Sequence, residues 1–224
     1  MAEASGGATA NAAAQSSLND QLHDAAERAD LAALRSALAA GANVDVRRTT
    51  NPGGINRTPL GRVVAERPYL RKGATACVRA LLLAGASPSA PITHLGGGRW
   101  MPLHEAAFLA SYTVCGLLLD AGADVNVRDG RECTPLHYAA ARQEKRNQKL
   151  IALLLSRGAV DGPSVDPGSR SPYLQKVRAA GSFANYEKQH RAKLVAMLAP
   201  KFAHVLPPEL VSVVITFWAP VGLH

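Results

Sequence analysis

A chain of 224 residues with 47% apolar and 19% charged side chains has the composition of a globular protein of one or two domains, and its formal charge of +8 makes it basic. Only 5% of residues are aromatic while alanine and leucine dominate, which favours closely approaching helices over a β-sandwich. No apolar run approaches the roughly 18 residues that a bilayer span requires, and the opening residues lack the basic and apolar blocks of a secretory leader, so neither anchor nor signal is expected. Three cysteines without close pairing argue against a disulfide framework and for a reducing compartment, the cytoplasm, with the nucleus as the alternative.

In chain order, residues 1–17, "MAEASGGATANAAAQSS", are small, polar and of low complexity, and are expected to form a disordered tail. Then comes "QLHDAAERADLAALRSALAAGANVDV" from Gln21. The same skeleton returns as "TPLGRVVAE" from Thr58, "MPLHEAAFL" from Met101 and "TPLHYAAAR" from Thr134, each followed by a leucine run and a glycine. Gly41, Gly85, Gly122 and Gly158 thereby occupy equivalent points. Pro102 to Gly122 is 20 residues and Gly122 to Pro135 is 13, a period of 33.

These segments resemble the ankyrin repeat, whose signature is T-P-L-H-x-A at a 33-residue spacing. The resemblance covers residues 18–161 as four repeats and extends to a degenerate fifth over 162–202, opening at "RSPYLQKV" near Ser171. It implies an all-α solenoid of stacked helix-turn-helix units with short β-hairpin fingers. The residues have a physical reading of their own. Thr134 can cap a first helix, and Pro135 suits its first turn, where no amide donor is needed. His137 is placed to bridge backbone groups of adjacent repeats, and Ala139 and Ala140 let neighbouring helices approach. Leu153, Leu154 and Leu155 supply the apolar face of a second helix that Gly158 can end in the left-handed conformation. The Asp-Gly of "VRDGRECT" predicts a tight hairpin turn.

The second repeat departs from the pattern. Gly61 replaces the histidine, and Val63 and Val64 the paired alanines, which predicts looser hydrogen bonding and a locally widened stack. Insertions between the paired helices are expected at "ERPYLRKGATA" and "RQEKRNQK", and Gly-rich fingers at "TTNPGGIN" and "THLGGGRW".

Charge is unevenly spread. Residues 46–80 carry eight basic groups against one acidic: Arg47, Arg48, Arg57, Arg62, Arg67, Arg71, Lys72 and Arg79. Such a cluster suits an acidic or phosphorylated segment of a protein partner, and equally a solvated face. Nucleic acid is disfavoured because Tyr69 is the one aromatic residue in that stretch. The resemblance implies that fingers and inner helices bind partners. By register, Trp100 and Arg131 fall on fingers, while Phe108, Leu109 and Arg142 fall at the open end of inner helices. With Arg62, Arg67, Arg71 and Lys72 they form the candidate partner-binding set, since Trp beside Phe and Leu with an arginine rim has hot-spot composition. The competing reading is that Tyr69 and Leu70 fold over and bury the patch.

In the tail, Leu194, Val195, Met197 and Leu198 suit the outer helix of a final repeat with an enlarged inter-helix loop. The apolar segment 203–224 reads as a helix capping the stack. Its "LPPELV" also resembles the start of an F-box, which implies a ubiquitin-ligase adaptor, although 19 residues from Leu206 are short for three helices. No phosphate loop, nucleophile elbow, H-E-x-x-H or C-x-x-C is present, so no catalytic residue, metal or cofactor is expected. His23, His104 and His137 read as structural hydrogen-bonders. The expected function is a monomeric, non-catalytic scaffold for a protein partner.

Overall fold

The computed structural model of the chain describes residues 4–49, 56–65, 73–93, 99–141, 145–160 and 172–202, with positions 207, 210 and 213. These residues contain ten helices and four short strands, in two compact units, 1–135 and 136–224.

In the first unit, α1 (Ala4–Arg28) and α2 (Leu31–Ala39) form the opening pair. The tail expected to be disordered over residues 1–17 is instead helical from Ala4. Its alanine-rich, proline-free sequence favours helix, and side chains tie it down. Gln15 Nε2 donates to the Gly41 carbonyl at 3.0 Å, and the Asn43 amide donates to Asn19 Oδ1 at 2.9 Å. Asp30 starts α2 by accepting the Ala32 and Ala33 amides, both at 3.0 Å, and so satisfies two donors that the helix leaves unpaired.

Strands β1 (Arg48–Thr49) and β2 (Asn56–Arg57) form the first antiparallel finger, and β3 (Ile92–Thr93) and β4 (Arg99–Trp100) the second. Between and after them come α3 (Pro59–Ala65), α4 (Ala74–Leu83), α5 (Pro102–Phe108) and α6 (Tyr112–Asp120). Proline opens both α3 and α5, where its missing amide costs nothing. Helices α1, α3 and α5 pack in one row, and α2, α4 and α6 in a second. Leu22, Leu60 and Leu103 hold equivalent inner positions, and Leu34, Leu81 and Leu118 lie in the outer helices, all without solvent exposure beyond 1%. Burying each such side chain contributes about 1.5–3 kcal/mol. The terminal glycines adopt the expected left-handed conformation, Gly122 at φ 90° and Gly41, Gly85 and Gly158 close to it.

Gly61 has a different consequence from the loosening that its identity predicts. Ile92 Cγ1 lies 3.1 Å from where a Gly61 Cβ would stand, and Ile92 is 1% exposed. The finger closes onto the bare backbone, so apolar contact occupies the place that histidine takes in the next repeat. Val63 and Val64 are buried.

The "VRDGRECT" segment turns tightly, but its left-handed residue is Glu132 (φ 60°), not the glycine. The Glu132 amide donates to the Asp129 carbonyl at 3.1 Å and the Asp129 amide to the Cys133 carbonyl at 3.0 Å, the pattern of a three-residue hairpin with a terminal bulge. Buried Asp129 completes it, its Oδ1 accepting the Arg131 amide at 2.8 Å and the Cys133 amide at 2.9 Å.

The second unit holds α7 (Pro135–Ala141), α8 (Lys145–Ser156), α9 (Pro172–Ala179) and α10 (Phe183–Phe202). Thr134 does not cap α7: its hydroxyl is buried without a hydrogen bond among the described residues, whereas Thr58 Oγ1 accepts the Gly61 amide at 3.2 Å. Much of the insertion "RQEKRNQK" extends the second helix instead of the loop, for α8 has 12 residues where α2 and α6 have 9. Buried Asn147 secures that extra turn by donating to the Ala139 carbonyl at 3.1 Å. Tyr173, Leu174 and Val177 bury α9, and the Tyr173 ring meets Tyr186 edge-on at 5.3 Å. The enlarged loop expected before the last outer helix is absent, since α10 runs unbroken from Phe183. Of 203–224, Leu210 and Val213 are described as exposed and the Leu210 amide donates to the Pro207 carbonyl at 3.0 Å; the expected cap otherwise lies outside the described residues.

Candidate functional site

The geometry of the histidines is that of structural hydrogen-bonders. His104 Nδ1 accepts the Met101 amide at 3.1 Å, so Nε2 carries the proton and donates to the carbonyls of Val127 and Cys133, each at 3.1 Å. Burial lowers its pKa against the opposing pull of those carbonyls and Asp129, and keeps the ring neutral at pH 7. Nδ1 is thus committed to the start of its own helix and Nε2 to the finger that follows. His23 Nε2 reaches the Val46 carbonyl at 3.1 Å in the same way. Its Nδ1 is buried without a partner among the described residues, because α1 continues through the point where α5 begins. Residues 161–171, which follow the repeat of His137, lie outside the described residues.

The aromatic site is built at the junction of β4 and α5. Trp100 ends the strand and its indole Nε1 donates to Glu105 Oε2 at 2.6 Å, one helical turn into α5. The Trp100 ring lies 5.5 Å from His104 and meets Phe108 edge-on at 6.4 Å. Phe108 is 40% exposed, whereas Leu109 is buried at the helix end and offers no contact face. Burial raises the pKa of Glu105, while the indole N–H and the charge of Arg57 draw it down. Arg131 is exposed on the next finger. Arg142, Arg67, Arg71 and Lys72 lie outside the described residues, as do Tyr69 and Leu70.

Several arginines of the basic stretch have intramolecular partners. Arg47 donates to the Pro91 carbonyl at 2.9 Å, and Arg48 pairs with Asp24 at 2.6 Å and Asp20 at 3.6 Å. Arg62, expected at the surface, is 4% exposed and its Nη1 lies 3.3 Å from Glu27. It is buried because it sits on α3 between the neighbouring inner helices. The sequence reading missed Glu105, Asp129, Ile92 and Asn147. Only the Asp-Gly turn hinted at Asp129; the others act through partners that no local spacing specifies.

Among the described residues no cluster of three or more His, Cys, Asp or Glu could hold a metal ion, and no helix is long and apolar enough to cross a membrane.

Two-row helix pairs joined by fingers, with His23 and His104 each tied to the segment that follows its own helix pair, define an ankyrin-repeat fold, whose repeats typically act as interaction modules. Sequence comparison agrees: the ankyrin-repeat family model, three copies long, matches residues 70–164. The chain is 33% identical over 85 residues to the ADP-ribosylation factor GTPase-activating protein AGD4 of Arabidopsis thaliana, 38% of this chain and 10% of that protein. It is 34% identical over 85 residues to the related AGD2 of the same plant, with the same shares. The Arabidopsis E3 ubiquitin-protein ligase KEG is 29% identical over 121 residues, 52% of this chain and 7% of the ligase. The chain therefore spans a tenth or less of the length of these relatives.

Proposed function

We propose that the protein is a non-catalytic scaffold that takes a partner protein on the patch formed by Trp100 and Phe108, with Arg131 on its rim. The observation that carries this reading is the Trp100–Glu105 bond, which fixes a large ring at a finger base beside a 40% exposed Phe108. An aromatic anchor held in place before binding loses little freedom on binding, which is the property of a hot spot. The basic stretch adds electrostatic steering toward an acidic or phosphorylated segment through Arg67, Arg71 and Lys72, and Arg142 adds a further cation of the candidate set. Affinity capture from the source cell, comparing the intact chain with Trp100→Ala/Phe108→Ala, tests it. Selective loss of specific partners with the melting temperature kept above growth temperature is expected; an unchanged partner set removes the site.

A second reading, an adaptor for ubiquitin machinery, is supported by "LPPELV" and by exposed Leu210 and Val213, apolar side chains available to another protein. Deleting residues 206–224 separates the two. Lost ligase association with unchanged helical circular dichroism favours the adaptor, and aggregation or a lowered melting temperature favours a cap.

A further inference from the structure

Four Ser-Pro or Thr-Pro steps occur in the chain, at Thr58, Ser87, Thr134 and Ser171. Proline holds the residue before it extended, the form in which a proline-directed protein kinase takes up a hydroxyl side chain. Thr58 and Thr134 are 2% and 7% exposed and stand at helix starts, out of reach of such an enzyme. Ser171 lies outside the described residues. Ser87 is different: it is half-buried, sits in the loop between α4 and β3, and belongs to no helix or strand.

That loop is tied to the one before it. The Ser87 amide donates to both oxygens of the Asp45 carboxylate, at 3.0 and 3.2 Å, and so joins the loop after α4 to the loop after α2. Asp45 is steadied by its own amide, which donates to Asn43 Oδ1 at 3.1 Å. Arg47 Nη2 donates to the Pro91 carbonyl at 2.9 Å, a second tie between the same two loops. Ser87 Oγ is three bonds from the amide nitrogen that Asp45 holds, so a phosphate on it stands against that carboxylate. It brings about 1.5–2 negative charges at pH 7. Repulsion pushes Asp45 off the amide, and attraction draws the Arg47 guanidinium away from the Pro91 carbonyl toward the phosphate. Both ties loosen together.

We propose that Ser87 is a phosphorylation site of a proline-directed protein kinase, and that its phosphate releases the Asp45 clasp between the first and second repeats. In the transfer Ser87 Oγ bonds to the γ-phosphorus of ATP while the bond from that phosphorus to its bridging oxygen breaks. ADP leaves, and the hydroxyl proton passes to the base of the kinase. The site shares no residue with the Trp100 patch, so it stands or falls separately from the partner reading above.

The test incubates the folded full chain with magnesium ATP and, in turn, a cyclin-dependent and a mitogen-activated protein kinase, and places the phosphate by peptide mapping. Ser87 should carry it, and Ser87→Ala should lose the label on that peptide. Modification should lower the melting temperature of the parent by about 2–6 °C, and hydrogen exchange at the Ser87 amide should quicken roughly tenfold. Asp45→Asn keeps an acceptor oxygen and removes the charge, so modification at Ser87 should move its melting temperature less than half as far. No Ser87 phosphate on the folded chain from either kinase overturns the site, and a synthetic peptide of residues 82–93 shows whether fold or sequence is the reason. A Ser87 phosphate that leaves melting and amide exchange unchanged, or that shifts the parent and Asp45→Asn equally, overturns the clasp.

Discussion

His104 Nε2 stands 3.1 Å from the Cys133 carbonyl, 29 positions further along the chain, so one imidazole joins a helix start to the finger of the following repeat. The same ring accepts the Met101 amide, and the Val127 carbonyl shares its proton. This arrangement converts a sequence motif into a tertiary tie.

His104→Ala should lower unfolding stability by about 2–4 kcal/mol, the cost of a cavity plus unpaired buried backbone groups. Denaturant unfolding measures it, and a loss under roughly 0.5 kcal/mol would deny the tie its role. The pH dependence has a definite sign. His104 and His23 both have folded pKa values below 6.5, so the unfolded chain binds more protons once pH falls toward that value, and stability drops on acidification below about pH 6.5. Glu105, whose pKa is raised, acts oppositely at lower pH. His104→Gln should flatten the acid-side slope of melting temperature near pH 6.

Trp100→Phe removes the indole donor from Glu105. The carboxylate then loses its stabilising hydrogen bond while remaining buried, so its pKa should rise further above the 4.5 reference value. Carbon-13 spectra of the Glu105 carboxyl report the direction, and a downward move would contradict the bonding scheme.

Glu132→Gly should stabilise the fold slightly. A non-glycine residue at φ 60° carries strain of roughly 1 kcal/mol, partly offset by the greater freedom of glycine in the unfolded chain and by losing the exposed Arg128–Glu132 ion pair at 2.9 Å. A rise in melting temperature of at most about 2 °C is expected, and a fall would place the value of Glu132 in its side chain.

Thiol labelling of the native protein should modify one of the three cysteines quickly. Cys77 and Cys115 are buried, and burial raises both pKa values, whereas Cys133 is half-buried on a finger. Peptide mapping of the adduct identifies the site. Rapid labelling of Cys115 would mean that α6 opens.

Ile92→Ala should cost about 2–4 kcal/mol, because a 1% exposed side chain that packs against Gly61 leaves a cavity when cut back. Chemical denaturation of that variant is the check.

What the residues alone determined is local: prolines at helix starts, glycines at φ near 90° at helix ends, leucines at inward positions, and the 33-residue spacing that superposes them. Each of these depends on backbone sterics or on the period of a helix, and both act within a few residues. Tertiary structure decided the rest. Arg62 reads as a surface cation until α3 is packed, and Trp100 as a bare finger residue until Glu105 arrives beneath it. Residues 1–17 read as a tail until Gln15 and Asn19 find the loop after α2. Burial and pairing depend on which distant groups arrive, and a charge or ring carries no local record of what will face it.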